Sequence, residues 1–188
     1  HLAGLSKMAT EQSNSKVRRP VKIRLLTVSD TRTLETDTSG QLLSERIVAA
    51  GHDLVARELV PDDLERLDAI LRDWCAEKDT EVIITSGGTG LTGRDVTADI
   101  MEHMFEKSIP GFGELFRYLS YTHPTHGVGT SALQSRATAG LGPHKTLMFA
   151  LPGSPGACEL AWDGILQHQL DIDHRPCNFV SLFPRLAE

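Results

Sequence analysis

The stretch that decides the fold is EVIITSGGTG, residues 81–90. Val82, Ile83 and Ile84 form a run of β-branched side chains, which predicts a buried strand. The glycine-rich turn that follows leads into an amphipathic segment from about residue 97 to residue 105, which predicts a helix. A strand that enters a helix through such a turn is the repeating unit of an α/β protein.

The same alternation of strand and helix patterns recurs on both sides of this stretch. Short apolar runs predict strands at 23–29, 54–60, 137–141 and 146–151. Amphipathic spacing predicts helices at 38–50, after Pro61, at 112–121 and from about Ser154. Residues 122–129 contain two histidines, a proline and two glycines, which predicts an exposed loop. We therefore expect an α/β fold with a mostly parallel sheet.

Length and charge restrict the class of protein. A chain of 188 residues suits one domain, which we assign to residues 21–188. We interpret residues 1–20 as a tag remnant and a flexible N-terminal arm. The 25 acidic residues outnumber the 19 Lys and Arg, and the net charge of −6 argues against a broad nucleic-acid surface or an anionic membrane as partner. No apolar run approaches the roughly 20 residues of a membrane span.

Cysteine usage indicates the cellular compartment. Cys75, Cys158 and Cys177 are far apart in sequence and form no C-x-x-C pair. The spacing therefore predicts neither a disulfide framework nor a zinc site. A reducing, cytoplasmic location is the expectation.

Polar residues follow three predicted strands at their carboxyl ends, where open α/β sheets bind ligands. Ser29 and Asp30 follow the first strand, and Asp62 follows the second. The glycine-rich turn and Asp95 follow the third. Because Asp62 and Asp95 lie in neighbouring strand-end loops, these two residues are expected to meet over one pocket.

The turn after the third strand contains Ser86, Gly87, Gly88, Thr89 and Gly90. Glycines without a Cβ let backbone N–H groups close around an anion, and hydroxyls and a helix N-terminus add donors. A tight connection without a ligand is the alternative. Residues 88–93 also match G-x-G-x-x-G, but no strand ending in an acidic residue follows about 20 residues later, which argues against a dinucleotide site.

Asp62 and Asp95 are the candidate catalytic residues and the candidate Mg²⁺ positions. Mg²⁺ prefers carboxylate and phosphate oxygens, and the two aspartates lie in neighbouring strand-end loops. Aspartate is also a common N-cap, so a purely structural role at a helix start is the alternative for Asp62 or Asp63.

Two later segments add candidate residues. Ser135 and Arg136 precede a predicted strand, and the Arg136 guanidinium either donates to a phosphate or forms a surface salt bridge. Pro152, Gly153 and Ser154 join a strand to a helix, so Ser154 is an expected N-cap. The same segment is also positioned to form the rim of a ligand pocket.

Several short motifs, in order, identify a family resemblance. They are TSGGTG at 85–90, RDVT at 94–97, PGFGE at 110–114, LQSRA at 133–137 and LPG at 151–153. The chain resembles the MoaB/MogA family of molybdenum-cofactor biosynthesis proteins from about residue 21 to residue 186. Residues 129–136 and 175–179 resemble the MoaB branch in particular.

The resemblance implies a fold and an activity. It implies a three-layer α/β/α sandwich that binds molybdopterin, a pterin with a dithiolene and a terminal phosphate. Active members of the family transfer AMP from Mg·ATP to that phosphate, and their two essential carboxylates correspond to Asp62 and Asp95. Some MoaB-branch proteins lack this acidic pair and are thought inactive, so its presence here favours an active molybdopterin adenylyltransferase.

The expectations for ligands follow from both lines of reasoning. The expected substrate-binding residues are Ser29, Asp30, Ser86, Gly87, Gly88, Thr89, Gly90, Thr97, Ser135, Arg136, Pro152, Gly153 and Ser154. Mg²⁺ is expected to arrive with ATP, and no tightly bound cofactor is predicted. The alternatives are a molybdopterin-binding or carrier protein without chemistry, and an unrelated nucleotide-binding scaffold.

The resemblance also implies assembly as a homotrimer or, in the MoaB branch, a homohexamer. The predicted helix at 112–121 carries Phe112, Leu115, Phe116, Tyr118, Leu119 and Tyr121. This is more apolar surface than one side of a helix buries within its own domain, and such patches usually mark interfaces. We expect this helix and residues 171–183 to lie near the contacts.

Overall fold

A six-stranded sheet forms the centre of the molecule in the computed structural model, which describes residues 19–186. The strands are β1 (Lys22–Val28), β2 (Asp53–Val60), β3 (Val82–Ser86), β4 (Lys107–Ser108), β5 (Thr138–Leu141) and β6 (Leu147–Leu151). They lie in the order β2-β1-β3-β6-β5-β4. β2, β1, β3 and β6 are parallel, whereas β5 runs antiparallel to both β6 and β4. The predicted mostly parallel sheet is confirmed.

Five helices follow the strands. They are α1 (Thr38–Ala49), α2 (Leu64–Ala76), α3 (Thr97–Met104), α4 (Pro110–Thr122) and α5 (Pro155–Ala161). α5 continues through a π-helical turn (Trp162–Leu166) into a short last turn, α6 (Gln167–Gln169). Short 3-10 helices lie at Gly129–Gln134, Pro143–Lys145 and Val180–Arg185.

The side chains of the central strands alternate between two hydrophobic cores. Ile23 and Leu25 of β1 pack with α1, α4 and α5 on one face of the sheet. Leu26 and Val28 pack with α2 and α3 on the other face. Apolar residues on both faces are expected where helices cover a parallel sheet on both sides. The three-layer α/β/α sandwich is therefore confirmed.

The predicted helix boundaries rest on local signals that the structure contains. The Ser154 side chain accepts the backbone N–H of Ala157 at 3.3 Å and caps α5. Gly51 adopts a positive φ of 84° directly after α1, as a stop signal requires. Pro110 occupies the first turn of α4, where its missing N–H costs nothing.

Three segments are not described fully by the sequence patterns. β4 has two residues, too few to show a period. The predicted loop at 122–129 is shorter than expected, because α4 includes Thr122 and a 3-10 helix begins at Gly129. Residues 171–183, which show no period in sequence, pack partly against the core, where Val180 is buried.

The N-terminal arm falls mostly outside the described residues, as do residues 187 and 188. Its last part is held, because Arg19 forms an ion pair with Glu81 at 2.5 Å and lies over the Phe183 ring. Val21 is buried in the core. Within residues 19–186, none of the helices has the length and apolar character needed to cross a membrane.

Candidate functional site

The carboxyl ends of β1, β2, β3 and β6 meet at one edge of the sheet and carry the predicted site residues. The Ser29 N–H donates to the Val60 carbonyl at 2.9 Å, which joins the ends of β1 and β2. The Gly87 N–H donates to the Leu151 carbonyl at 2.9 Å, which joins β3 and β6. Four loops therefore begin from a fixed edge.

The glycine loop after β3 requires glycine for steric reasons. Gly87 and Gly88 both adopt positive φ, 107° and 64°. A Cβ on Gly87 would lie 2.1 Å from the Val28 carbonyl oxygen, and one on Gly88 would lie 2.1 Å from the Thr97 Oγ1. A side chain at Gly87 would require the Val28 backbone to move, and one at Gly88 would require the Thr97 side chain to move, in addition to the strain of a positive φ.

Asp62 lies against this loop with an unsatisfied oxygen. Its Oδ1 is buried without a hydrogen-bond partner and lies 3.1 Å from where a Gly88 Cβ would stand. Burial raises the pKa of the Asp62 carboxyl above its ordinary 3.8, a hydrogen bond from the Val96 N–H lowers it in part, and the charges of Asp30 and Asp95 raise it further. A buried carboxylate oxygen without a donor is expected where a ligand supplies the missing partner.

Asp95 lies against the same loop two residues further on, beside Gly90. Its Oδ2 would be 2.7 Å from a Gly90 Cβ. It accepts hydrogen bonds from the N–H and hydroxyl of Thr92, at 2.9 and 2.6 Å. The side-chain bond from Thr92 is the main reason why the pKa of Asp95 is lowered. The site thus combines a firmly ionised carboxylate with one whose charge is poorly solvated.

Two buried hydroxyls flank the glycine loop in sequence. Ser86 and Thr97 are fully buried, and neither side-chain oxygen has a hydrogen-bond partner. Thr97 also holds the loop through its backbone, since its N–H donates to the Gly88 carbonyl at 3.0 Å. The unpartnered Thr97 hydroxyl lies close to Asp62 Oδ1 beside Gly88, which is consistent with a place for an anionic group.

Asp30 connects two of the strand-end loops. Its Oδ1 accepts the backbone N–H of Asp62 at 3.0 Å, and its Oδ2 accepts Nη2 of Arg94 at 2.6 Å. Both members of the ion pair are exposed, with 66% of the Arg94 side chain and 40% of the Asp30 side chain accessible. Arg94 therefore lies exposed at the mouth of the site, beside the acidic residues.

Arg136 is fully engaged within the chain. Nε donates to the Gly90 carbonyl at 2.7 Å and Nη2 to the Asp95 carbonyl at 2.6 Å. The same guanidinium forms a bidentate pair with Asp99. The structure thus gives Arg136 a role in fixing the loop that carries Asp95, and the predicted donation to a phosphate stays a prediction.

The loop after β6 is tied to the loop after β1. The Gly153 carbonyl accepts a hydrogen bond from Ser39 at 2.8 Å and another from Arg32 at 3.2 Å. Gly153 also packs closely on Gly87, whose Cα would be 3.2 Å from a Gly153 Cβ. This contact brings the predicted residues of β6 next to the glycine loop.

A small cavity of about 220 Å³ opens beside this loop. It is lined by Phe116, Ser120, His126, Val128, Ser131, Ala132, Ser135, Pro152, Ser154, Gly156, Ala157 and Leu160. Three of the predicted residues, Ser135, Pro152 and Ser154, are among them. The cavity thus adjoins the strand-end site from the side of α4 and α5.

The donor set for a metal is small. Within residues 19–186, the structure contains no group of three or more His, Cys, Asp or Glu side chains arranged to hold an ion. Mg²⁺ that arrives with a nucleotide needs only one or two carboxylates, because phosphates and water complete its shell. The unpartnered Asp62 Oδ1 and the ionised Asp95 fit that requirement.

Comparison with known families identifies the chain. Residues 24–171 match the family described as a probable molybdopterin binding domain. The chain belongs to the MoaB/MogA family of molybdenum-cofactor biosynthesis proteins. Among its relatives, molybdenum cofactor biosynthesis protein B of Escherichia coli K12 is 44% identical over 160 residues, which cover 85% of this chain and 91% of that protein. The Bacillus subtilis protein of the same name is 40% identical over 163 residues, 87% and 94% of the two chains.

Solved structures of the MoaB/MogA family share the fold. A crystal structure of a molybdenum cofactor biosynthesis protein B aligns with a TM-score of 0.77 and 41% identity, covering 82% of this chain and 94% of that one. The tungsten cofactor synthesizing protein MoaB from Pyrococcus furiosus aligns with a TM-score of 0.69 and 31% identity, covering 82% and 95%.

Sequence reasoning missed the contributions of Arg32, Ser39 and Arg94 to this MoaB/MogA site. Arg32 and Ser39 act on a loop more than a hundred residues away, so no local pattern signals them. Arg94 stands beside a residue that was singled out, Asp95, and the motif RDVT contains both. The position of the Arg94 cation directly before a candidate metal ligand, Asp95, is the sequence signal that indicates a role for Arg94 in the site.

Proposed function

We propose that this molybdenum-cofactor biosynthesis protein is a molybdopterin adenylyltransferase that moves AMP from Mg·ATP to the terminal phosphate of molybdopterin. The observation that carries the proposal is the buried, unpartnered Asp62 Oδ1, which lies against the glycine loop near the ionised Asp95. A pure connection between strand and helix has no reason to keep a desolvated carboxylate there.

The residues of the site have separate tasks in this proposal. The N–H groups of the glycine loop and the hydroxyls of Ser86 and Thr97 bind phosphate oxygens. Asp62 and Asp95 would hold the Mg²⁺ that accompanies ATP, and that ion would supply positive charge to neutralise the phosphates. The phosphate of molybdopterin forms a bond to the α-phosphorus, the bond to the β-phosphate oxygen breaks, and pyrophosphate leaves. Catalysis of this kind rests on positioning and charge neutralisation.

The direct test is a single-turnover assay. The purified chain is incubated with molybdopterin and Mg·ATP, and adenylylated molybdopterin and released pyrophosphate are measured together. We expect both products in equal amounts. Saturable binding of molybdopterin without either product would instead support the alternative, a non-catalytic binding or carrier protein of the same pathway.

Assembly and compartment belong to the same proposal. On α4, Leu115, Tyr118 and Tyr121 are exposed, while Phe112 and Phe116 are buried, so an apolar face remains uncovered. We expect it to contact a second copy in a homotrimer or homohexamer, because closed symmetric assemblies are the commonest for homo-oligomers. The cytoplasm and the absence of a nucleic-acid partner stay predictions from composition.

A further inference from the structure

The acidic character of the site poses a problem for a phosphate-bearing substrate. Asp30, Asp62 and Asp95 all lie close enough for the charges of the other two to raise the pKa of Asp62. A polyphosphate that approaches them is repelled unless positive charge accompanies it. The arginines near the site therefore decide how the phosphates are tolerated.

Besides Arg94, the described residues include two arginines that reach the loops after β3 and β6, and both are committed to other partners. Arg57, which reaches only the loop after β1, is paired with Asp37. The Arg136 guanidinium donates hydrogen bonds to two backbone carbonyls and to the Asp99 carboxylate. Arg32 donates to the Gly153 carbonyl and to the Ser39 hydroxyl. Both hold the loops together, so neither can turn to a ligand without loss of these contacts.

Arg94 differs from these arginines. Among the described residues, its guanidinium hydrogen-bonds to Asp30 alone, through Nη2. The remaining guanidinium donors face solvent at the mouth of the site, and Asp62 and Asp63 are its other charged neighbours. A guanidinium with free donors next to a desolvated carboxylate is available for a phosphate.

We propose that Arg94 binds a phosphate of the substrate, and that Asp30 holds the guanidinium in place until the phosphate replaces the Asp30 carboxylate. The inference rests on the proposed function in that it concerns the same site. Exchange is easy because an exposed ion pair is weak, and phosphate matches the guanidinium as well as carboxylate does. Asp30 still accepts the Asp62 N–H through its other oxygen, so the loop keeps its shape.

The test is calorimetric titration of the full chain with pyrophosphate in the presence of Mg²⁺. The variants are Arg94→Gln, Asp30→Asn and the double variant. Arg94→Gln is expected to weaken binding by about tenfold or more, since it removes a charge-assisted hydrogen bond. Asp30→Asn is expected to tighten binding several-fold, because it removes the carboxylate that competes with phosphate for Arg94. The Asn side chain still accepts the Asp62 N–H.

The double variant separates exchange from a general charge effect. If Asp30 acts through Arg94, the tightening disappears in the Arg94→Gln background and the double variant binds as weakly as Arg94→Gln. A tightening that persists there overturns the exchange. Equal weakening by both single variants also overturns the proposal, because it would make the pair a structural brace. Lack of pyrophosphate binding by the parent, or an unchanged affinity of Arg94→Gln, overturns it as well.

Matched controls keep this outcome distinct from that of the proposed function. Arg72→Gln removes a similarly exposed pair with Asp68 on α2 and is expected to bind pyrophosphate like the parent. Thermal melting checks that each variant folds. If Arg94 governs pyrophosphate binding and no AMP is transferred, the adenylyltransferase proposal fails and this inference stands. If AMP is transferred and Arg94→Gln binds like the parent, this inference fails alone.

Discussion

Asp63 caps helix α2 by accepting the Arg66 N–H at 2.9 Å, and its neighbour Asp62 is left with a buried oxygen beside the glycine loop. The capping role that competes with catalysis for any aspartate at a helix start is thus taken by Asp63. Asp62 does not cap the helix, and the net effect of its buried charge is expected to lower the stability of the fold.

We expect Asp62→Asn to be more stable than the parent at neutral pH. The folded state holds the Asp62 pKa above its unfolded value, so ionisation destabilises the fold at pH values above both pKa values. The gain in Tm is expected to be largest at neutral pH and to vanish below about pH 3, where the carboxyl is protonated in both states.

Asp63→Asn is the control for this measurement, because asparagine caps a helix about as well as aspartate. Its Tm is expected to follow that of the parent at every pH. A gain in Asp62→Asn that stays constant across the pH range would contradict an origin in the buried charge.

Asp95→Asn is expected to fold like the parent and to lose most AMP transfer. The amide keeps the size and one acceptor for the Thr92 hydrogen bonds, but it lacks the charge that Mg²⁺ requires. Transfer assayed over a range of Mg²⁺ concentrations checks this. Near-normal turnover by the purified variant would remove Asp95 from the mechanism.

Gly88→Ala is expected to impair both stability and phosphate binding. Its φ of 64° is costly for alanine, and the Cβ would meet the Thr97 hydroxyl. The strain is of order 1–3 kcal/mol, which lowers the Tm by several degrees in a domain of this size. Gly93→Ala is the matched control, since a Cβ there has open space. If the two variants have similar Tm values and similar affinities for pyrophosphate, the glycine loop serves only to connect β3 to α3.

Arg136→Lys is expected to loosen the loop that carries Asp95. A single ammonium cannot replace the guanidinium on the carbonyls of both Gly90 and Asp95. The free energy of unfolding is expected to fall by roughly 1–2 kcal/mol, because hydrogen bonds are removed. In Arg136→Lys, amide hydrogen exchange of residues 90–95 is expected to be faster than in the parent. In the control variant Arg72→Lys, exchange of the same residues is expected to be unchanged. Weakened pyrophosphate binding with unaltered exchange would instead favour direct contact with phosphate.

Light scattering during size exclusion is expected to give a closed trimer or hexamer. Tyr118→Glu places a charge on the exposed face of α4 and is expected to lower the mass, whereas Val48→Glu on exposed α1 is expected to have no effect. A 20.6 kDa particle for the parent at micromolar concentration would contradict assembly.

The sequence predicts the fold better than it predicts the roles of individual side chains. Strand runs, caps and the glycine stop at Gly51 are local signals, so the order of elements follows from them. Asp62 and Asp63 are adjacent, and only the direction of the chain into α2 decides which of them caps it. The partners of Arg136 are backbone carbonyls of a distant loop, which no residue type reveals.

The hydrogen bond from Arg32 to the Gly153 carbonyl spans 121 residues of sequence. Since the loop after β1 is secured by the loop after β6, a nascent chain that lacks its last strand has no complete binding edge. Contacts of such long range also form late, because closing a long loop costs entropy before the contact stabilises it. The binding edge is therefore complete only once β6 and the loop after it have packed against β3 and the loop after β1.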